Sequence, residues 1–228
     1  MNRTLNVVRM QFVNRQTYIW VPLIVLAGSW ALSVAIFAMI PYDGVKAGGG
    51  TFAPLWYFLA VGVQALTRTF PFSQAMSVTR REYFAGTLLT ATVTSAMLAV
   101  IFVIGGLIEA ATGGWGVNGY FFHLDWLWAD GPVVAFLIYF VIAMLFFVSG
   151  LWAATIYKRF GALWLTVVLL SIAALLVGAL FVLIRSGGWG AFFTGIAAQG
   201  ALGLAFWGLA LGALLSAVSF GTLRRATP

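Results

Sequence analysis

Side chains able to do chemistry are few in this 228-residue chain, and they stand far apart. The only histidine, His123, cannot build a zinc site without cysteines or converging acids, and there is no cysteine at all. Disulfides, thiolate metal centres and cysteine nucleophiles are therefore excluded, and His123 reads as an interfacial hydrogen-bonding residue. The acids Asp43, Glu82, Glu109, Asp125 and Asp130 are expected at or beyond the ends of apolar runs. That placement leaves no carboxylate pair for acid–base or aspartyl chemistry. No glycine-rich phosphate loop is present, so the chain cannot hydrolyse ATP by itself. The reading is of a protein that is not an enzyme.

The densest signal lies in residues 67–91, TRTFPFSQAMSVTRREYFAGTLLTA. Pro71 suits the first turn of a short helix through Phe72, Ala75 and Met76, with a stop near Val78. Thr79 and Glu82 have the S/T-x-x-E spacing of a capping box, which satisfies the free N–H groups where a long helix begins. Arg80 and Arg81 fall in that helix's first turn, against its dipole. A short helix, a tight turn and a charged corner make a compact knob between two apolar runs. On physics alone the same residues fit a capped inner turn equally well.

The elements that hold this knob are long apolar segments. The chain is 63% hydrophobic and 7% charged, a balance no water-soluble domain of this size sustains. Six runs, about 18–40, 52–69, 83–109, 132–156, 161–184 and 196–220, each match the length a helix needs to cross a bilayer. Ten of the twelve bases alternate in side: Arg3, Arg9, Arg15, Arg68, Arg80, Arg81, Lys158, Arg159, Arg224 and Arg225. The remaining connections hold Lys46 and Arg185 together with Asp43, Glu109, Asp125 and Asp130. By the positive-inside rule the expectation is an all-α membrane protein, one transmembrane domain over 1–228, with six transmembrane helices and both termini cytoplasmic. Its bases, scattered at helix ends, speak for membrane lipids and against nucleic acid as partners.

Residues 1–17 are a polar, basic prelude. Leu5, Val8 and Phe12 share a helical face, which fits either a short interfacial helix or a plain solvated extension of the first span. The aromatic segment 110–131, with Trp115, Tyr120, Phe121, Phe122, Trp126 and Trp128, is expected to lie on the outer membrane surface. Gly208 and Gly212, with Gly200 and Gly203, form small-residue faces read first as packing within the chain and second as a subunit interface. No ionisable residue is expected at mid-membrane, which disfavours an ion-coupled carrier.

The order of a span, a short loop helix, and Ala75-Met76-Ser77-Val78-Thr79-Arg80-Arg81-Glu82-Tyr83-Phe84-Ala85-Gly86-Thr87 opening the third span resembles the type-2 ABC exporter permeases. Ser77 stands where that family commonly has glycine. The resemblance implies six spans, cytosolic termini and a dimer, with a second permease copy or a similar chain. It also implies a separate ABC ATPase subunit that binds ATP and Mg, so that no cofactor is held by this chain. Pro71, Phe72, Ser73, Gln74, Ala75, Met76, Ser77 and Val78 would then be the coupling helix seated on the ATPase. Thr79, Arg80, Arg81 and Glu82 would flank that contact. Among these, Phe72, Met76 and Val78 are the expected apolar anchors.

The function expected on this resemblance is export of a hydrophobic or amphipathic substrate across a bacterial cytoplasmic membrane. Two other readings stand beside it: a non-transporting assembly or sensor subunit that docks a soluble partner, and a small secondary carrier.

Overall fold

The computed structural model describes residues 3–224, so Arg225 lies outside the described residues. Helix α1 (Arg3–Val13) precedes a π-helical turn, Gln16–Trp20, that runs straight into α2 (Val21–Met39). After a strand of two residues, β1 (Lys46–Ala47), come α3 (Ala53–Gln64), a second π-helical turn (Ala65–Thr69) and the short α4 (Phe70–Ala75). Helix α5 (Arg80–Ala111) leads into an irregular turn, strand β2 (Gly119–Tyr120) and the single-turn α6 (Asp125–Trp128). Helices α7 (Pro132–Phe160), α8 (Ala162–Arg185), α9 (Trp189–Ala198) and α10 (Gly200–Leu223) complete the chain. Six helical stretches are long and apolar enough to cross a membrane: Gln16–Met39, Gly49–Ala75, Arg80–Ala111, Pro132–Phe160, Ala162–Arg185 and Gly200–Leu223.

The last of these departs from the expected 196–220. Residues up to Ala198 close a separate helix, α9, and Gly200 turns the chain at φ +61° before α10 begins. Only glycine takes that left-handed conformation without strain, so the apolar run is broken where hydropathy alone reads it as continuous.

Helix α7 is the hub, packed on α3, α5 and α10. Its crossing with α3 is backbone against backbone. A Cβ added at Gly62 would overlap the carbonyl of Phe147, and one at Gly150 would overlap the carbonyl of Leu59. Between the helices of a membrane protein lipid would supply no hydrophobic drive, and close van der Waals contact of this kind is what would hold them together. On the α7–α10 face Gly208 instead receives the Val141 side chain, whose Cγ1 an added Cβ would overlap, so this small-residue face packs inside the chain.

Helix α1 lies along the start of α5. A Cβ at Gly86 would stand 2.6 Å from that of Val7, which fixes how near the two helices come. Gln11, fully buried, donates from Nε2 to the Thr87 hydroxyl at 2.9 Å. The N-terminal helix is thus a packed part of the fold. Helix α8 is the opposite case, with no buried residue and α7 as its main neighbour.

The two ends of the bundle differ in charge. Arg80 Nη1 donates to the carbonyls of Leu223 (3.3 Å) and Arg224 (2.7 Å), which brings the start of α5 to the end of α10. At the other end β1 pairs in parallel with β2, Lys46 opposite Gly119, and Asn118 Nδ2 donates to the carbonyl of Asp43 at 3.0 Å.

Candidate functional site

The knob at the arginine-bearing end is built as its sequence suggests, with sharper corners. Pro71 occupies the first turn of α4, where its missing N–H costs nothing. The helix stops after one and a half turns in a Schellman arrangement. Val78 N–H donates to the Ser73 carbonyl and Ser77 N–H to the Gln74 carbonyl, both at 3.1 Å. Ser77 holds the left-handed position at φ 56°. Glycine is the residue such a position favours, so serine keeps the sharp turn at some strain. The short helix therefore ends at Ala75 rather than Val78.

Thr79 then caps α5 as expected. Its hydroxyl accepts from Glu82 N–H at 3.2 Å, and a Glu82 carboxylate oxygen accepts from Thr79 N–H at 3.0 Å. This reciprocal box fixes the angle between the knob and the long helix.

The knob has two faces. Its underside is closed: Ser73 is fully buried and donates to the Phe70 carbonyl at 2.7 Å. The Phe70 ring packs edge-on against Tyr83 at 5.1 Å. The Tyr83 hydroxyl donates to the carbonyl of Ala65 in the π-helical turn, with the Thr69 hydroxyl 2.8 Å away. Two helices are thereby joined through one buried tyrosine. The upper side is open, with Phe72 and Met76 each 57% exposed beside exposed Pro71, Ala75, Ser77 and Arg81.

The twelve residues expected to meet a partner are thus divided by the structure. Phe72 and Met76 are presented outward. Val78, expected as a third anchor, is half-buried and packs beneath the knob against the small cluster of Leu66, Phe70 and Tyr83. Ser73 also points inward, and Gln74 uses its amide to donate to the Val78 carbonyl at 3.0 Å. Arg80 is engaged by the end of α10, which leaves Arg81 as the guanidinium of the pair with no hydrogen-bond partner among the described residues. Sequence periodicity could not separate these roles, because a helix of six residues is too short to show a face.

A second organised centre, at the acid-bearing end, was not legible in the sequence. Glu109 belongs to α5, within its last turn, and is fully buried. Its Oε1 accepts from Trp115 Nε1 at 2.6 Å and Phe121 N–H at 2.8 Å. Its Oε2 accepts from the N–H groups of Phe122 and His123, both at 2.7 Å. Four N–H donors suit an acceptor-only carboxylate.

This centre turns most of the aromatic segment's rings into the protein, where anchors facing the membrane surface were expected. Phe121, Phe122 and Trp128 are buried in the main core beside Phe102 and Tyr139, and only Trp126 remains largely exposed. The carboxylate draws the backbone of 121–123 inward, and the rings follow. The hydroxyl of Thr51 adds a bond to the Phe121 carbonyl at 2.7 Å, tying in the first connection at this end. His123 stacks on Trp128 at 4.5 Å, and among the described residues no group of three or more His, Cys, Asp or Glu side chains could hold a metal. No known protein family, characterised protein or solved structure matches the chain.

Proposed function

We propose that this chain is the transmembrane permease subunit of an ATP-driven ABC exporter, moving a hydrophobic or amphipathic substrate with energy from a separate ATPase subunit. The observation that carries the reading is the knob: an apolar pair, Phe72 and Met76, displayed on a short helix whose underside is locked to the third span. Exposed apolar residues on a rigid support are what a binding partner buries as anchors. The Tyr83–Ala65 bond and the capping box make the support stiff, so a push on α4 moves α5 rather than bending the turn. Arg81 adds a charge that tunes recognition and on-rate more than affinity.

In this reading the arginine-bearing end faces the cytosol of a bacterial cell, both termini lie there, and ATP and Mg stay on the partner. A second copy, or a similar chain, completes the permease. The carrier alternative is weakened by Glu109, whose carboxylate is already occupied by four donors and offers nothing to a coupling ion.

The test is co-purification with an ABC-type ATPase encoded beside this chain. Replacing Phe72 and Met76 together by Asp is expected to abolish retention of the ATPase and ATP-dependent transport in proteoliposomes, with the thermal midpoint of the permease nearly unchanged. Undiminished ATPase retention by the double variant, or substrate movement without ATP and ATPase, would overturn the reading.

A further inference from the structure

We infer that the arginine-bearing end holds a specific site for one anionic phospholipid, with its phosphate on Arg159 and Arg224 and an acyl chain in the adjoining groove between α7, α8 and α10. Three neighbouring cavities make this geometry. The first, 510 Å³, is apolar, with walls that include Trp152, Ile156, Phe160, Trp164 and Val168. It shares Val218 and Thr222 with a second of 530 Å³ that Arg159 and Arg224 line. That one shares Arg224 with a third of 560 Å³, bounded by Arg80, Arg81 and Phe220. One track therefore runs from aromatic walls to guanidinium groups.

Charge decides the occupant. No carboxylate lines any of the three cavities among the described residues. Glu82, the acid nearest in sequence, is committed to Thr79. Arg159 lies over the Phe160 ring at 4.5 Å and Arg224 over Phe220 at 5.7 Å, so both guanidinium groups are held at the mouth of the groove. Planar guanidinium groups match a phosphodiester bidentately. A soluble phosphate would use the arginines and leave the apolar groove idle, while a neutral lipid would do the reverse. A helix from a second copy fits poorly, because four of the five acids of this chain lie at its other end. An anionic phospholipid of the leaflet on this side satisfies both halves of the track.

The experiment is native mass spectrometry of the full chain taken from phosphatidylcholine vesicles containing phosphatidylglycerol. Wild type is expected to keep one phosphatidylglycerol in preference to phosphatidylcholine. Arg159→Gln and Arg224→Gln should each lower that retention about fivefold, the weight of one arginine near a membrane surface. Val218→Trp, which fills the groove and leaves both arginines in place, should lower it too. Arg185→Gln, on the far end of α8, should not.

Equal retention of the two lipids by wild type would overturn the inference, as would unchanged preference in both arginine variants. Displacement of phosphatidylglycerol by millimolar inorganic phosphate, with Val218→Trp silent, would assign the arginines to a soluble anion and overturn it as well. Circular dichroism of each variant checks the fold, and the Val218→Trp arm keeps the test decisive if an arginine variant fails to assemble.

Discussion

The two ends of the bundle solve opposite problems with similar parts. At the acid-bearing end one buried carboxylate, Glu109, collects four N–H donors from a single loop and pulls its aromatic side chains into the core. At the arginine-bearing end the polar groups also bond inward, through Tyr83, Ser73 and Arg80, yet Phe72 and Met76 remain outside. One end is sealed and the other is stiffened but left open. A sealed end needs only to stay shut, whereas a surface proposed to receive a partner has to be rigid before the partner arrives, or binding has to order it at a cost.

The contrast breaks most readily at Glu109. Its replacement by Ala leaves four donors without an acceptor, three of them backbone N–H groups held in place by the chain. A loss of about 3 kcal/mol is expected, since each unsatisfied buried donor costs about 1–3 kcal/mol and some will recover water. Thermal unfolding in detergent and new protease cleavage within 112–131 would register it; a variant as stable as wild type would deny that this end is sealed by the carboxylate.

Losing the cap at the other end should cost less. Thr79→Ala removes the acceptor for Glu82 N–H and is expected to destabilise by about 1 kcal/mol. Hydrogen exchange should rise locally in residues 79–83 while the acid-bearing end is untouched. Tyr83→Phe deletes the hydroxyl linking α5 to the Ala65 carbonyl, also worth about 1 kcal/mol. On the proposed permease reading, its mark should be a knob that still binds the ATPase but transmits ATP turnover to transport poorly, a separation that the Phe72/Met76 double variant would not show.

The smallest effect runs in the other direction. Ser77→Gly relieves a left-handed serine and is expected to stabilise by up to about 1 kcal/mol, less the entropy that glycine gains in the unfolded chain. A lower midpoint in Ser77→Gly would mean that the serine side chain contributes something its geometry does not reveal.

The sequence and the structure agree best where one residue type has one physical use. Pro71 at a helix start, Thr79 and Glu82 at capping-box spacing, and apolar runs of bilayer length are local devices, so each could be read before the fold was known. Glu109 could not. Its partners are mostly backbone N–H groups, which every residue carries, and which of them meet the carboxylate depends on how the chain returns after twelve residues. The inward turn of Phe121 and Phe122 was hidden for the same reason, since aromatic composition reads alike for a surface belt and a core. Gly62 and Gly150 looked no different from the other 24 glycines until two backbones were seen to touch.

By itself, then, the chain's order of residues determined the number of long apolar helices, the sorting of bases to alternate connections, and the capped corner between the second and third. Those depend on spacing along one helix or on counts within one segment. The tertiary structure alone decided which acid is buried, which side of the short helix stays bare, and that α10's end is grasped by Arg80. Each of these is a contact between residues far apart in sequence, and such contacts exist only after the helices have chosen how closely to pack.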